Sequence, residues 1–372
     1  MGADLRAIGR QFAINGEYVG GGPYGTGHIN DTYAVTYQQS SGPTRFILQQ
    51  INHRVFRDIE GLMSNIVAVT GYLSRKIRER GGDPLRETLT LVPTHDGRSF
   101  LHTEDGAYWR VYVFLEGART YEAVERMEHV QAAGRAYGDF QNLLRDFPAE
   151  TLIETIPDFH NTAKRFNDFL NAVEADLAHR AHTAIPEIEF VKQRAQLVPV
   201  LMDLMREGKL RGRITHNDTK FNNVMIDDRT GKGVCVIDLD TVMPGLSLYD
   251  FGDSIRSMAN TGAEDEADLS RVKFDLQVFA SYTRGYLEAT RSFLDREEMK
   301  RLPFAAILMT LECGMRFLED YLRGDPYFKT ARPSHNLDRT RTQFKLIEGM
   351  EEAQETMALQ VARSLAEGSE GL

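Results

Sequence analysis

The chain has 372 residues, of which 42% are hydrophobic and 26% are charged, and its formal net charge is −10. This composition is typical of a folded protein and excludes extended disorder, while the length favours two lobes or domains with a cleft between them. The acidic balance disfavours a nucleic-acid-binding surface, and no stretch reaches the roughly 18 apolar residues of a membrane span.

The first third of the chain predicts a small sheet with one long helix. After a short helical start, glycines between Tyr18 and Tyr37 lead into a strand pattern, and apolar residues recur at helical spacing from Val55 to Val69. The Gly81-Gly82-Asp83-Pro84 run ends that helix. The predicted strands span residues 32–37, 45–51, 89–93, 99–103 and 108–115.

The rest of the chain is predicted to be mainly helical from Tyr121 onward. Two short strands around 224–226 and 234–238 interrupt this pattern, and helical periodicity resumes over 268–290, 297–323 and 336–367. The composition changes near Glu116 and Gly117. We therefore predict an α+β fold with an N-terminal lobe of residues 1–116 and a C-terminal lobe of residues 117–372.

The most informative motif is Thr215-His216-Asn217-Asp218-Thr219-Lys220-Phe221-Asn222-Asn223, followed by Val236-Ile237-Asp238-Leu239-Asp240. Phosphoryl transfer needs a group that orients the acceptor hydroxyl, and cations that offset the phosphate charge. Asp218 suits the first task, and Lys220 is placed to reach the transferred phosphate. Asn223 and Asp238 offer oxygen ligands for Mg²⁺. Asp240 is a candidate for a secondary metal ligand or for a residue that supports the ligands, because alternate strand positions face one side.

Each of these residues alone has an ordinary structural explanation, such as a turn cap, an Asx turn or a solvated strand end. Together they stand in the order and spacing of a kinase catalytic loop, and this combination predicts an ATP-dependent kinase. His216 is interpreted as a hydrogen-bonding brace of the loop rather than as a competing catalyst.

The pattern His216-x-Asp218-x-x-x-x-Asn223 with Ile237-Asp238 resembles the aminoglycoside phosphotransferase and choline kinase superfamily of small-molecule kinases. The resemblance implies a protein-kinase-like fold of two lobes, a small β-rich N-terminal lobe that binds the nucleotide and a larger helical lobe that carries the catalytic loop and binds the substrate. It also implies ATP and Mg²⁺ as cofactors.

Within that superfamily, motifs along nearly the whole chain closely resemble those of N-acetylhexosamine 1-kinases; they span residues 24–30, 47–50, 215–220, 237–245, 250–256 and 312–318. This resemblance implies phosphorylation of N-acetylglucosamine or N-acetylgalactosamine at C1. It places His28, Asp218, Arg316 and Tyr327 at the sugar. The alternatives are an ion pair of Arg316 with Asp320 and a packed aromatic ring for Tyr327.

The predicted nucleotide contacts are Gly25 and Gly27 in a glycine turn, Gln49 on an early strand, and the backbone of Val113 beside adenine. Two spaced glycines are weak evidence for a phosphate-binding turn, because any tight turn uses them. The segment that contains Val113 is equally consistent with an ordinary core strand. Gln49 stands where most kinases place a phosphate-binding lysine, and an amide supplies no charge. Glu60 is therefore expected to be a solvated helix residue rather than the partner of a lysine.

The N-terminus lacks the apolar core of a signal peptide, and Cys235 and Cys313 stand outside any metal-binding spacing. We therefore expect a cytoplasmic protein that binds ATP and a small sugar but neither nucleic acid nor membrane; oligomeric state stays open. The alternatives are a kinase for another small molecule and a silent nucleotide-binding regulator. The intact set of Asp218, Asn223 and Asp238 disfavours the silent regulator.

Overall fold

The computed structural model describes residues 3–25 and 29–367, and its N-terminal part is built on one antiparallel sheet. The six strands of this sheet are β1 (Glu17–Pro23), β2 (Asp31–Gln39), β3 (Gly42–Ile51), β4 (Leu91–Val92), β5 (Leu101–His102) and β6 (Tyr108–Val113). They lie in the order β1-β2-β3-β6-β4, and β5 pairs with β6. The helices of this part are α1 (Leu5–Gly9), α2 (Ile59–Glu79) and α3 (Pro84–Glu87).

The C-terminal part is mostly helical. Its helices are α4 (Met127–Leu143), α5 (Thr162–Ala175), α6 (Ile185–Lys192), α7 (Val200–Arg206), α8 (Ser247–Met258), α9 (Leu276–Thr290), α10 (Arg296–Lys300), α11 (Leu302–Arg323), α12 (His335–Glu352) and α13 (Gln354–Glu367). Its strands are β7 (Ala118–Arg119), β8 (Arg213–Thr215), β9 (Val224–Asp227), β10 (Gly233–Val236) and β11 (Met243–Gly245). No helix in the described ranges is long and apolar enough to cross a membrane.

This architecture confirms the predicted α+β fold with a β-rich N-terminal lobe and a larger helical C-terminal lobe. Strand pairing changes between the two: β7 joins β9 and β10 rather than the first sheet. The proposed boundary near residue 116 stays a prediction.

Side-chain alternation along β3 and β6 decides which residues can reach the C-terminal lobe. Leu48 and Val111 face the core of the N-terminal lobe. Because successive strand residues point to opposite faces, their neighbours Gln49 and Arg110 face the other way. Tyr112, on that second face, packs in the large core shared with α2 and the C-terminal helices. The second face therefore looks into the space between the lobes.

Several predicted elements are shorter or divided. The helix expected over 297–323 is split at Arg301, and α11 begins with Pro303 at its second position, where a missing N–H costs nothing. The helix expected over 268–290 begins at Leu276, where the Asp275 carboxylate accepts hydrogen bonds from two backbone amides of the first turn. The helix expected over 336–367 is divided at Ala353.

Candidate active site

The predicted catalytic loop, residues 215–223, joins β8 to β9, and side chains of helix α8 hold it by hydrogen bonds. The Asp250 carboxylate accepts the backbone N–H groups of His216 at 2.9 Å and Asn217 at 2.8 Å. Asp250 is fully buried and also accepts a hydrogen bond from Gln141 at 2.6 Å. Asn217 adopts a left-handed backbone with φ of 65°. The loop conformation is thus fixed by a buried carboxylate immediately before Asp218.

A second carboxylate of α8 holds the other side of the loop. Asp253 accepts the backbone N–H of Thr219 at 2.8 Å, and Arg256 donates to Asp253 at 2.9 Å. The Ser254 hydroxyl donates to the Thr219 carbonyl at 3.0 Å. Both residues that flank Asp218 are therefore anchored to α8, so the motif at 250–256 supports the loop from a separate element.

His216 is confirmed as a brace of the loop. Its Nε2 lies 2.8 Å from the carbonyl oxygen of Ile237, and its Nδ1 lies 3.3 Å from the backbone nitrogen of Asp218. The pairing assigns the ring proton to Nε2, because a carbonyl can only accept. Both ring nitrogens are engaged by backbone groups, so the imidazole links the catalytic loop to the segment that follows β10.

Asp218 lies beside Lys220 and Asn223. Lys220 Nζ is 2.9 Å from Asp218 Oδ1, and the side chains of Asp218 and Lys220 are 28% and 45% exposed. Asn223 Nδ2 donates to the Asp218 carbonyl at 2.9 Å and approaches Oδ2 at 3.3 Å. Burial by itself would raise the pKa of Asp218, but the Lys220 ammonium outweighs it and the pKa is lowered. Asp218 is therefore an ionised carboxylate that opens to solvent.

Asp238 follows β10 and adopts a left-handed backbone with φ of 60°. Its side chain is open to the cleft, and its carboxylate accepts no hydrogen bond from residues 3–25 or 29–367. Because the surrounding protein displaces water and the Asp240 and Asp218 carboxylates are near, the pKa of Asp238 is raised to about 6. The Asp238 carboxylate thus lies near two other carboxylates and accepts no hydrogen bond from the described residues, an arrangement that favours a bound cation.

The strand expected over 234–238 ends at Val236, so the alternation argument for Asp240 is wrong. Residues 239–241 form a turn of 3₁₀ helix, so strand alternation does not relate Asp240 to Asp238; Asp238 is exposed and Asp240 is buried. Asp240 is buried, with Oδ1 2.5 Å from Arg110 Nη1 and Oδ2 2.7 Å from Asn30 Nδ2. Both carboxylate oxygens of Asp240 are thus occupied by donors from the N-terminal lobe.

The residues that could hold a divalent cation are Asp238 and Asn223. Since Asn223 uses its Nδ2 toward Asp218, its Oδ1 remains as an oxygen ligand. No group of three or more His, Cys, Asp or Glu side chains in the described ranges has the arrangement of a metal site. Mg²⁺ binds through one or two carboxylates together with substrate phosphates, so this sparse donor set fits it.

Two of the residues predicted to contact the nucleotide, Gln49 and Val113, form hydrogen bonds within the N-terminal lobe. Gln49 is tied to its own sheet: Oε1 accepts from Arg110 at 2.8 and 2.9 Å, and Nε2 donates to Thr32 at 3.0 Å. Val113 donates its N–H to the Thr90 carbonyl at 2.9 Å, so this amide is not available to an adenine ring.

The glycine turn is described only in part. Gly25 has a φ of 77°, a conformation that favours glycine. Gly27 and His28 lie outside the described residues. Glu60 is confirmed as an exposed helix residue.

On the acceptor side, Arg316 has no hydrogen bond or ion pair within the described chain. Its guanidinium carbon lies 5.0 Å from the ring centre of Phe159 and 5.7 Å from that of Phe328. The expected alternative, a pair with Asp320, is absent because Asp320 accepts the backbone N–H groups of residues 327 and 328. Tyr327 is 55% exposed rather than packed in a core.

His160 joins the Arg316 region to the catalytic loop. Its Nδ1 lies 2.7 Å from Glu312 Oε1, and its Nε2 lies 3.2 Å from the Asn217 carbonyl. Glu312 stands one helical turn before Arg316 on α11, and the rings of Phe159 and His160 lie 4.6 Å apart. Phe159 and His160 therefore link Arg316 to Asn217, the residue that precedes Asp218.

Four residues whose side chains hold the candidate site were not assigned a role by reading the sequence. Asp250 and Asp253 stood in a motif noted for its resemblance, but no role was drawn from it. Arg110 and His160 carry no local signal, because each acts on a partner more than 50 residues away. Only alternation along β6, combined with the sheet register that sets Gln49 opposite Arg110, could have indicated the first of these two.

Comparison with known proteins places this site in a family of phosphotransferases. The model of the family described as "Phosphotransferase enzyme family" matches residues 21–289, which is well over half of the chain. Among solved structures, a microcompartment-associated aminopropanol kinase has 16% identity and a TM-score of 0.60, with coverage of 96% of this chain and 98% of that one. An aminoglycoside phosphotransferase from Alicyclobacillus acidocaldarius has 13% identity and a TM-score of 0.63, with 98% of each chain covered.

A spectinomycin phosphotransferase in complex with ADP and spectinomycin has 12% identity and a TM-score of 0.54, with coverage of 94% of this chain and 97% of that one. Identities this low establish a shared fold and no more. The family match over residues 21–289 carries the assignment. The chain belongs to the phosphotransferase enzyme family.

Proposed function

We propose that the protein transfers the γ-phosphoryl group of ATP, in the presence of Mg²⁺, to the anomeric hydroxyl of an N-acetylhexosamine. The family supports a phosphotransferase with a hydroxyl acceptor, and the motif resemblance at residues 24–30, 215–220 and 312–318 supports the sugar. The observation that carries the choice of acceptor is the Arg316 guanidinium, which has no carboxylate partner among residues 3–25 and 29–367.

In this mechanism Asp218 orients the acceptor hydroxyl. Lys220 donates to Oδ1 at 2.9 Å, and Oδ2, which Asn223 Nδ2 approaches at 3.3 Å, has a second lone pair that can accept the hydroxyl proton. The lowered pKa of Asp218 keeps it ionised, so it accepts a hydrogen bond at neutral pH rather than donating one. A loose phosphoryl-transfer transition state needs little proton removal until late, and orientation is the larger contribution.

Charge on the phosphates is met by two sets of groups. Lys220 has two further N–H donors beyond its bond to Asp218, and nearly half of its side chain is exposed. Mg²⁺ bound by Asp238 and Asn223 would supply electrostatic stabilisation of the phosphate oxygens. The brace from His216 to the Ile237 carbonyl keeps the hydroxyl-orienting and metal-holding segments at a fixed separation.

The charge near Arg316 favours a neutral acceptor over an amino alcohol. An ammonium substrate needs a free carboxylate, yet the neighbouring acids are already paired: Glu312 with His160, and Glu319 with Arg323. A buried or half-buried arginine repels an ammonium group. The same guanidinium can donate to a sugar hydroxyl or to an acetamido carbonyl, and aromatic rings on either side of it suit the apolar face of a sugar.

Turnover of a substrate panel tests this proposal. ATP consumption is measured with N-acetylglucosamine, N-acetylgalactosamine, glucose, galactose, choline and aminopropanol, and phosphorus NMR assigns the phosphorylated position. We expect a 1-phosphate from one or both N-acetylhexosamines. A 6-phosphate, or turnover of an amino alcohol in place of the sugars, would contradict the assigned acceptor.

Replacement of Arg316 by alanine tests whether this residue contributes to sugar binding. A hydrogen bond from a charged donor contributes about 1.5–3 kcal/mol, so Arg316→Ala is expected to lower kcat/KM for the sugar by about tenfold or more. MgATP affinity, measured by calorimetry, should be unchanged. Arg363→Ala, at an exposed position of α13, is the matched control. Equal sugar kinetics in both variants would remove Arg316 from the acceptor site.

A further inference from the structure

Arg110 forms an almost fully buried ion pair with Asp240 between the two lobes. Gln49 and Arg110 are direct cross-strand partners on β3 and β6. Gln49 Oε1 accepts from both Nε and Nη2 of Arg110, at 2.9 and 2.8 Å. The remaining nitrogen, Nη1, lies 2.5 Å from Asp240 Oδ1. One arginine of the N-terminal sheet therefore reaches the turn that follows Asp238.

The burial of this pair decides what Arg110 can contact. The side chains of Arg110 and Asp240 are 1% and 3% exposed. A phosphate group would need solvent-accessible donors, but every nitrogen of the guanidinium already faces a protein acceptor. A buried charge is tolerated only when it is paired and hydrogen-bonded, and here both conditions are met.

Asp240 is held on its other sides as well. Asn30, which directly precedes β2, donates to Oδ2 at 2.7 Å, and Thr155 donates to the Asp240 carbonyl at 3.0 Å. The 3₁₀ turn at residues 239–241 joins Asp240 to Asp238 through one residue. Any displacement of Asp240 is therefore transmitted to the backbone that carries the Asp238 carboxylate.

We propose that Arg110 is a positioning residue that replaces the usual strand lysine by a different route: it fixes Asp240, and through Asp240 it sets Asp238 to receive the metal of MgATP. The inference rests on the proposed use of MgATP, but not on the identity of the acceptor. Groups that orient metal ligands typically contribute about 10–100-fold to metal affinity.

This arrangement explains the glutamine on β3. Arg110 needs a neutral oxygen to accept two N–H groups, and the Gln49 carboxamide provides one. A lysine at position 49 would place a second cation beside the Arg110 guanidinium. The N–H donors of Arg110 that bond to Gln49 would then have no acceptor. Gln49→Lys is therefore expected to weaken MgATP binding, even though it restores the residue found in most kinases.

Calorimetric titration of ATP, once with Mg²⁺ and once with a chelator, tests the role of Arg110 without any sugar. The variant is Arg110→Met, and the control is Arg98→Met, which removes an exposed arginine of the same lobe paired with Asp96. We expect Arg110→Met to weaken ATP binding about tenfold or more when Mg²⁺ is present, and to leave metal-free binding unchanged. Arg98→Met should match the wild type in both titrations.

Three results would overturn the inference. If Arg110→Met lost ATP affinity equally with and without Mg²⁺, Arg110 would contact the phosphates directly. If Mg²⁺ changed the ATP affinity of Arg110→Met as it does that of the wild type, Arg110 would have no role in positioning the metal ligand. Tighter Mg²⁺-dependent binding would show that Arg110 acts only by through-space repulsion of the metal. If Arg110→Met does not fold, Arg110→Met/Asp240→Leu removes both buried charges and is expected to show the same selective loss. ATP binding by the wild type without turnover of any sugar would refute the acceptor alone.

Discussion

Replacement of Asp250 by asparagine is expected to be one of the most damaging conservative changes in the protein. The Asp250 carboxylate accepts three hydrogen bonds: the backbone N–H of Asn217 on Oδ1, and the backbone N–H of His216 together with Gln141 Nε2 on Oδ2. An asparagine keeps its oxygen where two donors meet. Its NH₂ group then faces the Asn217 amide across 2.8 Å, donor against donor.

The magnitude follows from these contacts. A hydrogen bond to a charged group contributes about 1.5–3 kcal/mol, and a buried amide left without an acceptor costs about 1–3 kcal/mol. We therefore expect Asp250→Asn to lower the free energy of unfolding by about 3 kcal/mol. Asp218 directly follows the released Asn217 amide, and a displacement of about 1 Å can reduce turnover about 10²-fold, so kcat should fall as well.

Urea unfolding and steady-state kinetics measure the two effects. Asp268→Asn is the control, because Asp268 is an exposed N-cap of a short 3₁₀ turn and asparagine caps a helix as well as aspartate does. The reasoning would be refuted by a stability loss for Asp250→Asn no larger than that of the control, or by an unchanged kcat in the folded variant.

Outcomes are expected for four further variants. Asp218→Asn should lower kcat by about 10²–10⁴-fold while the Kd for MgATP stays close to that of the wild type, and near-normal turnover would remove Asp218 from its assigned role. Asp238→Ala should weaken MgATP binding by at least about tenfold in calorimetry without affecting binding in chelator; equal losses in both conditions would argue against metal binding there. Gly252→Ala should lower the free energy of unfolding by about 1–3 kcal/mol, because its added Cβ would lie 2.4 Å from the Ala305 carbonyl oxygen between α8 and α11. Gly71→Ala, in an exposed part of α2 with open space around it, should instead raise that free energy by about 0.5–1 kcal/mol; the two should differ in sign.

The sequence was sufficient for the fold class and for the local composition of the catalytic loop. Asp218, Lys220 and Asn223 lie within six residues, so their mutual distances are set by one short loop. The role of His216 as a brace was also predicted, and both of its ring nitrogens contact backbone groups. Where an element depends on local periodicity and on nearby caps, as α2 does on Asp58, its existence was predicted correctly and only its ends moved.

The tertiary structure decided what lies far apart in the chain. Strand β10 ends at Val236, and Asp240 in the following turn pairs with Arg110 and Asn30, so strand alternation does not apply to Asp240. The contact with Arg110 also explains why position 49 holds an uncharged glutamine, which the sequence of its own strand did not explain. Hydrophobic pattern and motif spacing report on neighbours along the chain, whereas a buried ion pair between lobes is determined by which strands happen to be packed together. For that reason the sequence determined the chemistry of the catalytic loop, and only the packed structure determined how the loop and the segment after β10 are held in place.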